Sequence, residues 1–163
     1  MSDAALGIAL AGLVPLLAYI MWSDMKAMRI PNIAVLLIFL VFLATGSWGL
    51  PLETFLWRIG HTVIAFGVGW GIFQISGGKI GGGDLKLLIA LVPFVPGSAV
   101  GIVLLMWAVI TLVSLGGFFL ARRLIGERDT GYIALSQKAY FPAGVPIGLT
   151  MILFLGLSLA KAL

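Results

Sequence analysis

Two aspartates, Asp24 and Asp84, are the residues whose type and position in this sequence could support chemistry. Each lies where a long apolar run meets a short polar segment, so each is expected at the edge of a membrane. A carboxylate is costly to keep there, and it therefore predicts a functional site. The structural alternative for Asp84 is a helix cap, because Asp commonly accepts hydrogen bonds from the first N–H groups of a helix.

A pair of carboxylates brought together supports acid–base hydrolysis. Two such groups a few ångströms apart cannot both ionise easily, so they share one proton. One then takes a proton from water while the other donates a hydrogen bond to a carbonyl, which hydrolyses a peptide bond without a metal or a covalent intermediate. The other acidic residues lie on the opposite side or in a polar interval: Asp3, Glu53, Glu127 and Asp129.

The direction of the two helices predicts which aspartate is the base. Asp24 lies at the C-terminal end of its apolar run, where the helix dipole disfavours an anion, and Asp84 lies at an N-terminal end, where the dipole favours one. We therefore expect Asp84 to be the ionised base and Asp24 to be the proton donor. The effect is about 0.3 to 1 kcal/mol per helix end, so local hydrogen bonds can reverse it.

A glycine-rich stretch, residues 77–86, leads into Asp84. Gly81, Gly82 and Gly83 let another backbone come close, which predicts a mobile entrance for a substrate. Lys86 and three further basic residues flank the two aspartates, and they either orient the helices or contact a substrate acid or lipid head groups. These three are Lys26, Arg29 and Lys79.

Six apolar runs must position these residues. With 61% hydrophobic residues, 10% charged residues and a mean hydropathy of +1.19, the chain is not an ordinary soluble domain. We predict one all-α domain over residues 1–163, a polytopic membrane protein built as a bundle of six transmembrane helices. The predicted spans are residues 4–22, 31–50, 54–75, 84–95, 98–121 and 141–159.

Single residues mark where these helices begin and where they pack. Pro31 suits the start of the second span, and Asn32 is a good N-cap. In the third span, Gly60, Gly67 and Gly71 are small residues that let neighbouring helices approach closely.

The basic residues indicate the orientation in the membrane. With the N-terminus outside, eight of them fall inside and only Arg58 and Lys161 fall outside, as the positive-inside rule requires. This predicts that both termini are outside and that both aspartates lie at the cytoplasmic face. The inner residues are Lys26, Arg29, Lys79, Lys86, Arg122, Arg123, Arg128 and Lys138.

Composition excludes several other classes of site. There is no cysteine and one histidine, His61, so neither a thiolate site nor a Cys- or His-based metal site is expected. The net charge is +4, but no basic stripe with interleaved aromatics indicates a nucleic-acid partner. We expect no cofactor, and we expect His61 to pack against a neighbouring helix.

Two motifs resemble a known family over almost the whole chain. The stretch Gly81-Gly82-Gly83-Asp84 matches the Gly-x-Gly-Asp motif of the prepilin peptidases. The segment around Asp24 is similar to the one that holds their first aspartate, since Asp24 is followed by Lys26, Arg29 and Ile30-Pro31-Asn32. Residues 142–148 resemble their Pro-x-Gly segment.

The resemblance implies an aspartic endopeptidase of the inner membrane. Its substrate would be a prepilin or pseudopilin, whose leader it removes at the cytoplasmic face, with Asp24 and Asp84 as the catalytic dyad. Larger relatives carry an N-terminal four-cysteine zinc motif associated with N-methylation. Because this chain has no cysteine, the resemblance implies neither the zinc site nor a methyltransferase activity. The short form resembles the Tad/Cpa-type peptidases of Flp pilins. Ser23 precedes Asp24 where presenilin-like proteases have tyrosine, which argues against that branch.

Two alternatives from other classes remain open at this point. A small transporter or channel could bind protons or cations at the two aspartates, although such carboxylates are expected near mid-membrane on broken helices. A noncatalytic scaffold of a secretion apparatus would not need Asp24. The sequence leaves the pilin substrate and the oligomeric state open.

Overall fold

The fold is entirely helical. In a computed structural model of the protein, residues 1–77, 81–126, 130–136 and 141–161 are described. They form seven α-helices and no strand, which confirms the all-α prediction. The helices are α1 (Asp3–Ala27), α2 (Asn32–Gly49), α3 (Leu52–Ile75), α4 (Gly82–Leu91), α5 (Val100–Ile125), α6 (Ile133–Ser136) and α7 (Gly144–Leu159). Two 3-10 turns, Val92–Phe94 and Gly97–Ala99, connect α4 to α5.

Each of the six predicted spans contains a helix. Among the described residues, three segments are long and apolar enough to cross a membrane: α1, α2 and Gly97–Ile125, which includes α5. The apolar helix α7 has 16 residues, and α4 has only 10, too few for a full crossing. The short helix α6 lies inside the interval that we expected to be a polar loop.

Helix α1 is the centre of the bundle. Its buried residues recur every three or four positions, which places them on one face of the helix. This face packs against α2 and α7, while α4 packs between α2, α3 and α7. Asp24 is therefore the last member of an otherwise apolar buried stripe, which consists of Ala5, Ala9, Leu13, Leu17, Ile20 and Asp24.

The opposite end of α1 is closed by tight contacts. The backbone N–H of Ser2 donates to the carbonyl of Gly49 at 2.8 Å, and a Cβ on Gly49 would overlap that of Ala5. At the same end, Lys161 and Asp3 form an exposed ion pair of 2.9 Å. The end of α7 therefore lies beside the beginning of α1, at the end of the bundle remote from Asp24.

Helices α3 and α5 form the periphery. No residue of α5 is buried, and in α3 only Thr62 and Gly69 are. The packing predicted for Gly60, Gly67 and Gly71 was wrong, because a Cβ there would meet nothing within 4 Å in the described part of the chain. The glycine that approaches α4 is Gly69, where a Cβ would lie 2.9 Å from Cδ1 of Ile89.

Replacing Gly49 by Ala tests the closed end of the bundle. The added methyl group overlaps Ala5, so we expect a loss of stability of about 1–3 kcal/mol. The measurement is the midpoint of unfolding in detergent. Gly7→Ala in α1 is the matched control, because a Cβ there meets nothing within 4 Å. Equal midpoints for the two variants would contradict this packing.

Candidate active site

Asp24 lies in the last turn of α1, and its side chain stays on the buried stripe. Only 4% of its surface is exposed. The helix ends through Met28, whose φ of 52° lets its N–H bond the Asp24 carbonyl at 2.9 Å. Ser23 Oγ donates to the Arg29 carbonyl at 2.8 Å and closes the same turn. The backbone of Asp24 thus ends the helix while its carboxylate faces inward.

The first residue of α7 holds that carboxylate. The backbone N–H of Gly144 donates to Oδ2 of Asp24 at 2.8 Å, in a buried contact between residues 120 positions apart. A Cβ on Gly144 would lie 2.9 Å from the same oxygen, so a side chain here displaces the carboxylate. Sequence reasoning missed this role of Gly144, although its segment had been singled out by the resemblance.

Asp84 lies in the first turn of α4 and is partly buried. The helix begins at Gly82, two residues earlier than predicted, and Gly81 occupies the N-cap position without a side-chain hydrogen bond. The interpretation of Asp84 as a helix cap was therefore wrong. Its carboxylate lies over the preceding turn instead, because a Cβ on Gly81 would come within 2.6 Å of Oδ2 of Asp84.

Two contacts bring the segments of the two aspartates together. A Cβ on Gly83 would lie 3.2 Å from the Cβ of Ile30, so α4 meets the connection between α1 and α2 at close range. Lys86 Nζ also donates to Oδ1 of Asn32 at 3.2 Å. As a result, the first turn of α4, which carries Asp84, lies beside the end of α1, which carries Asp24.

The start of α2 differs from the prediction. Pro31 holds the N-cap position and Asn32 is the first helical residue, without a capping hydrogen bond from its side chain. The amide of Asn32 is used for the contact with Lys86 instead. Another flanking cation, Lys26, lies 4.9 Å from the centre of the Trp22 ring. Lys79, which was also expected near the aspartates, lies outside the described residues.

The hydrogen bond from Gly144 changes the electrostatic balance at the pair. The dipoles of α1 and α4 contribute about 0.3 to 1 kcal/mol per helix end. A hydrogen bond to a charged group contributes about 1.5–3 kcal/mol, and the N-terminal end of α7 adds a favourable dipole. Asp84 accepts no comparable hydrogen bond from the described residues. These interactions favour negative charge on Asp24 and oppose the earlier assignment of the base.

Helix α6 packs against α1 near the same end of the bundle. Ala134 of α6 is fully buried, and its carbonyl accepts hydrogen bonds from Arg122 Nε at 2.9 Å and from a terminal nitrogen of the same guanidinium at 2.6 Å. Arg122 therefore ties the end of α5 to α6.

In the described ranges, no three His, Cys, Asp or Glu side chains are close enough together to bind a metal ion. His61 is exposed and lies beside Trp57 of its own helix, with 6.0 Å between the ring centres, so the prediction that it packs against a neighbouring helix was wrong.

Comparison with known proteins gives one match. The sequence model of the type IV leader peptidase family matches residues 11–121, which is more than half of the chain and includes both aspartates. No curated protein and no solved structure matches the chain. The segment that contains Gly144 lies beyond the matched residues.

A cysteine pair tests whether the two segments meet. We expect Ile30→Cys combined with Gly83→Cys to form a disulfide on mild oxidation, because the 3.2 Å separation is near the about 3.8 Å typical of bonded Cβ atoms. The native chain has no cysteine, so loss of maleimide labelling reports this bond alone. Ile30→Cys with Gly71→Cys is the control, since Gly71 has no neighbour within 4 Å. Full labelling of both pairs after oxidation would contradict the contact.

Proposed function

The chain belongs to the type IV leader peptidase family, and we propose that it is a membrane-embedded aspartic endopeptidase that removes the leader from prepilins or pseudopilins. The observation that carries the proposal is the contact of Gly83 with Ile30, which brings together the segments that hold two aspartates from distant parts of the chain, Asp24 and Asp84. Both lie at the same end of the bundle, one at the last turn of α1 and the other at the first turn of α4. We take this pair to be the catalytic dyad.

The proposed reaction needs only the dyad, a water molecule and the peptide. The dyad holds one proton. The ionised carboxylate takes a proton from water as the water oxygen bonds the scissile carbonyl carbon, and the protonated carboxyl gives its proton to the carbonyl oxygen. The resulting gem-diol collapses: the C–N bond breaks, one hydroxyl proton returns to the dyad and the leaving nitrogen takes a proton from it. The products are a new carboxyl terminus and a new amino terminus, and the dyad again holds one proton.

The glycines beside Asp84 suit the approach of an extended substrate. A helical substrate hides its peptide bonds, so the junction between leader and mature segment must extend before cleavage. Gly81 to Gly83 carry no side chains at the start of α4, and Gly81 is exposed. The substrate backbone would lie along this stretch, with Lys86, Pro31 and Asn32 as supporting residues beside it. Residues 78–80 of the proposed entrance lie outside the described part of the chain.

The cytoplasmic side of the inner membrane is the proposed location of the dyad. Lys26, Arg29 and Lys86 lie in the segments that adjoin the aspartates, whereas Arg58 donates to the Pro93 carbonyl at 3.0 Å near the other end of the bundle. This distribution supports an orientation with both termini outside. A leader that extends into the cytoplasm would then meet the dyad at the depth of its scissile bond.

Asn substitutions at the dyad test the function. We expect Asp24→Asn and Asp84→Asn each to lower the rate of leader removal at least about 10³-fold, because either change removes the proton exchange between the carboxylates. The measurement is cleavage of coexpressed candidate prepilins of the Flp type, followed by mobility and mass. The matched control is Glu53→Gln, which changes an exposed acid in the first turn of α3. Cleavage retained in either Asp variant would reject the dyad mechanism.

A further inference from the structure

We propose that Asp24 is the base of the dyad and that Gly144 is its positioning residue, acting through the backbone N–H at the start of α7. The inference rests on the proposed function, since it assigns roles within the same pair. It reverses the assignment that the directions of α1 and α4 suggested, because that argument did not include the N-terminal end of α7.

The two carboxylates differ in the hydrogen bonds that they accept. Oδ2 of Asp24 accepts a 2.8 Å hydrogen bond from a buried N–H, and an ionised oxygen is the stronger acceptor for it. The Asp84 carboxylate has no such donor among the described residues. When the pair holds a single proton, that proton is therefore retained by Asp84. Protonated Asp84 then donates to the substrate carbonyl.

The surroundings of Asp24 leave few other charges to consider. Helices α2, α6 and α7, which pack against α1, contain no titratable side chain. On its own segment, Lys26 is placed over the ring of Trp22, and Arg29 is exposed. In the described part of the chain, the titratable group that another helix brings toward Asp24 is Asp84, from α4. The N–H of Gly144 is thus the hydrogen-bond donor that distinguishes the two acids among the described residues, and it opposes the deeper burial of Asp24, which disfavours its charge.

The hydrogen bond also orients the base. Oδ2 is occupied by Gly144, so the other carboxylate oxygen, Oδ1, is left to take the proton from water. Gly144 has no room for a Cβ, which would lie 2.9 Å from Oδ2 and 3.3 Å from Cγ of Asp24. A side chain at this position would rotate the carboxylate away from the N–H.

Infrared titration of the single variants tests the assignment without any need for activity. In purified Asp84→Asn protein the remaining Asp24 should ionise at a lower pH than Asp84 does in Asp24→Asn protein. The opposite order would overturn the assignment even if the wild-type protein cleaves prepilin. Absence of cleavage in wild type together with the expected order would instead contradict the proposed function, so the two failures are distinguishable.

A methyl group at the α1–α7 interface tests the role of Gly144. In the Asp84→Asn background, Gly144→Ala should raise the pH at which Asp24 ionises by about one to two units, because the hydrogen bond is lost. In the otherwise wild-type enzyme, the same change should lower kcat at least about tenfold, leave KM nearly unchanged and move the acidic limb of the pH profile upward.

The matched control is Gly148→Ala, one turn further along α7. Its Cβ meets the flexible side chain of Met21 at 3.0 Å, so it crowds the same pair of helices without touching Asp24. We expect neither the ionisation of Asp24 nor the pH profile to change in this variant. Equal effects of the two substitutions would reduce Gly144 to a packing role and overturn the proposal, as would an unchanged acidic limb in Gly144→Ala.

Discussion

A carboxylate on a buried helix face needs a donor, and this requirement underlies the arrangement of the whole site. Asp24 continues the apolar stripe of α1, where burial without a hydrogen bond would be costly. The N–H of Gly144 supplies the donor because the first N–H groups of a helix have no partner within it. The start of α7 must therefore lie against the end of α1, and the packing of these two helices fixes the position of the carboxylate.

Absent side chains matter at this site as much as the side chains that are present. At Gly144 a Cβ would meet Asp24, at Gly81 it would meet Asp84, and at Gly83 it would meet Ile30. Gly144 and Gly83 bring the start of α7 and the start of α4 near the end of α1, whereas Gly81 leaves room for a carboxylate of its own helix. The glycine-rich sequence before Asp84 is in this sense a packing feature as well as a proposed entrance for substrate.

The sequence predicted the helices well because apolar runs of this length and charges at their ends leave few alternatives. The two aspartates could be identified because acidic residues are rare in this chain and these two follow recognisable patterns. Contacts between helices could not be predicted in the same way, because a helix that is apolar all round does not indicate which face meets a neighbour. Gly60, Gly67 and Gly71 were consequently assigned a packing role that Gly69 has instead.

Gly144 was the most consequential omission, and its cause is distance along the chain. Periodicity and motifs report on local segments, whereas the hydrogen bond to Asp24 joins residues 120 positions apart. Helix dipoles predicted Asp84 as the base for the same reason, since the local sequence shows only the helices to which the aspartates belong. Where one helix supplies a donor to another, the charge of a site depends on packing that a single segment does not encode.

The same separation has a consequence for biosynthesis. A nascent chain that has delivered α1 to α5 to the membrane already contains both acids, but the donor for Asp24 has not yet left the ribosome. Because segments are synthesised from the N-terminus at about 5–20 residues per second, the aspartates are present for several seconds before α7 follows. Insertion of the last helix then completes the hydrogen bonding of Asp24. An incompletely translated chain contains both acids but lacks the N–H of Gly144.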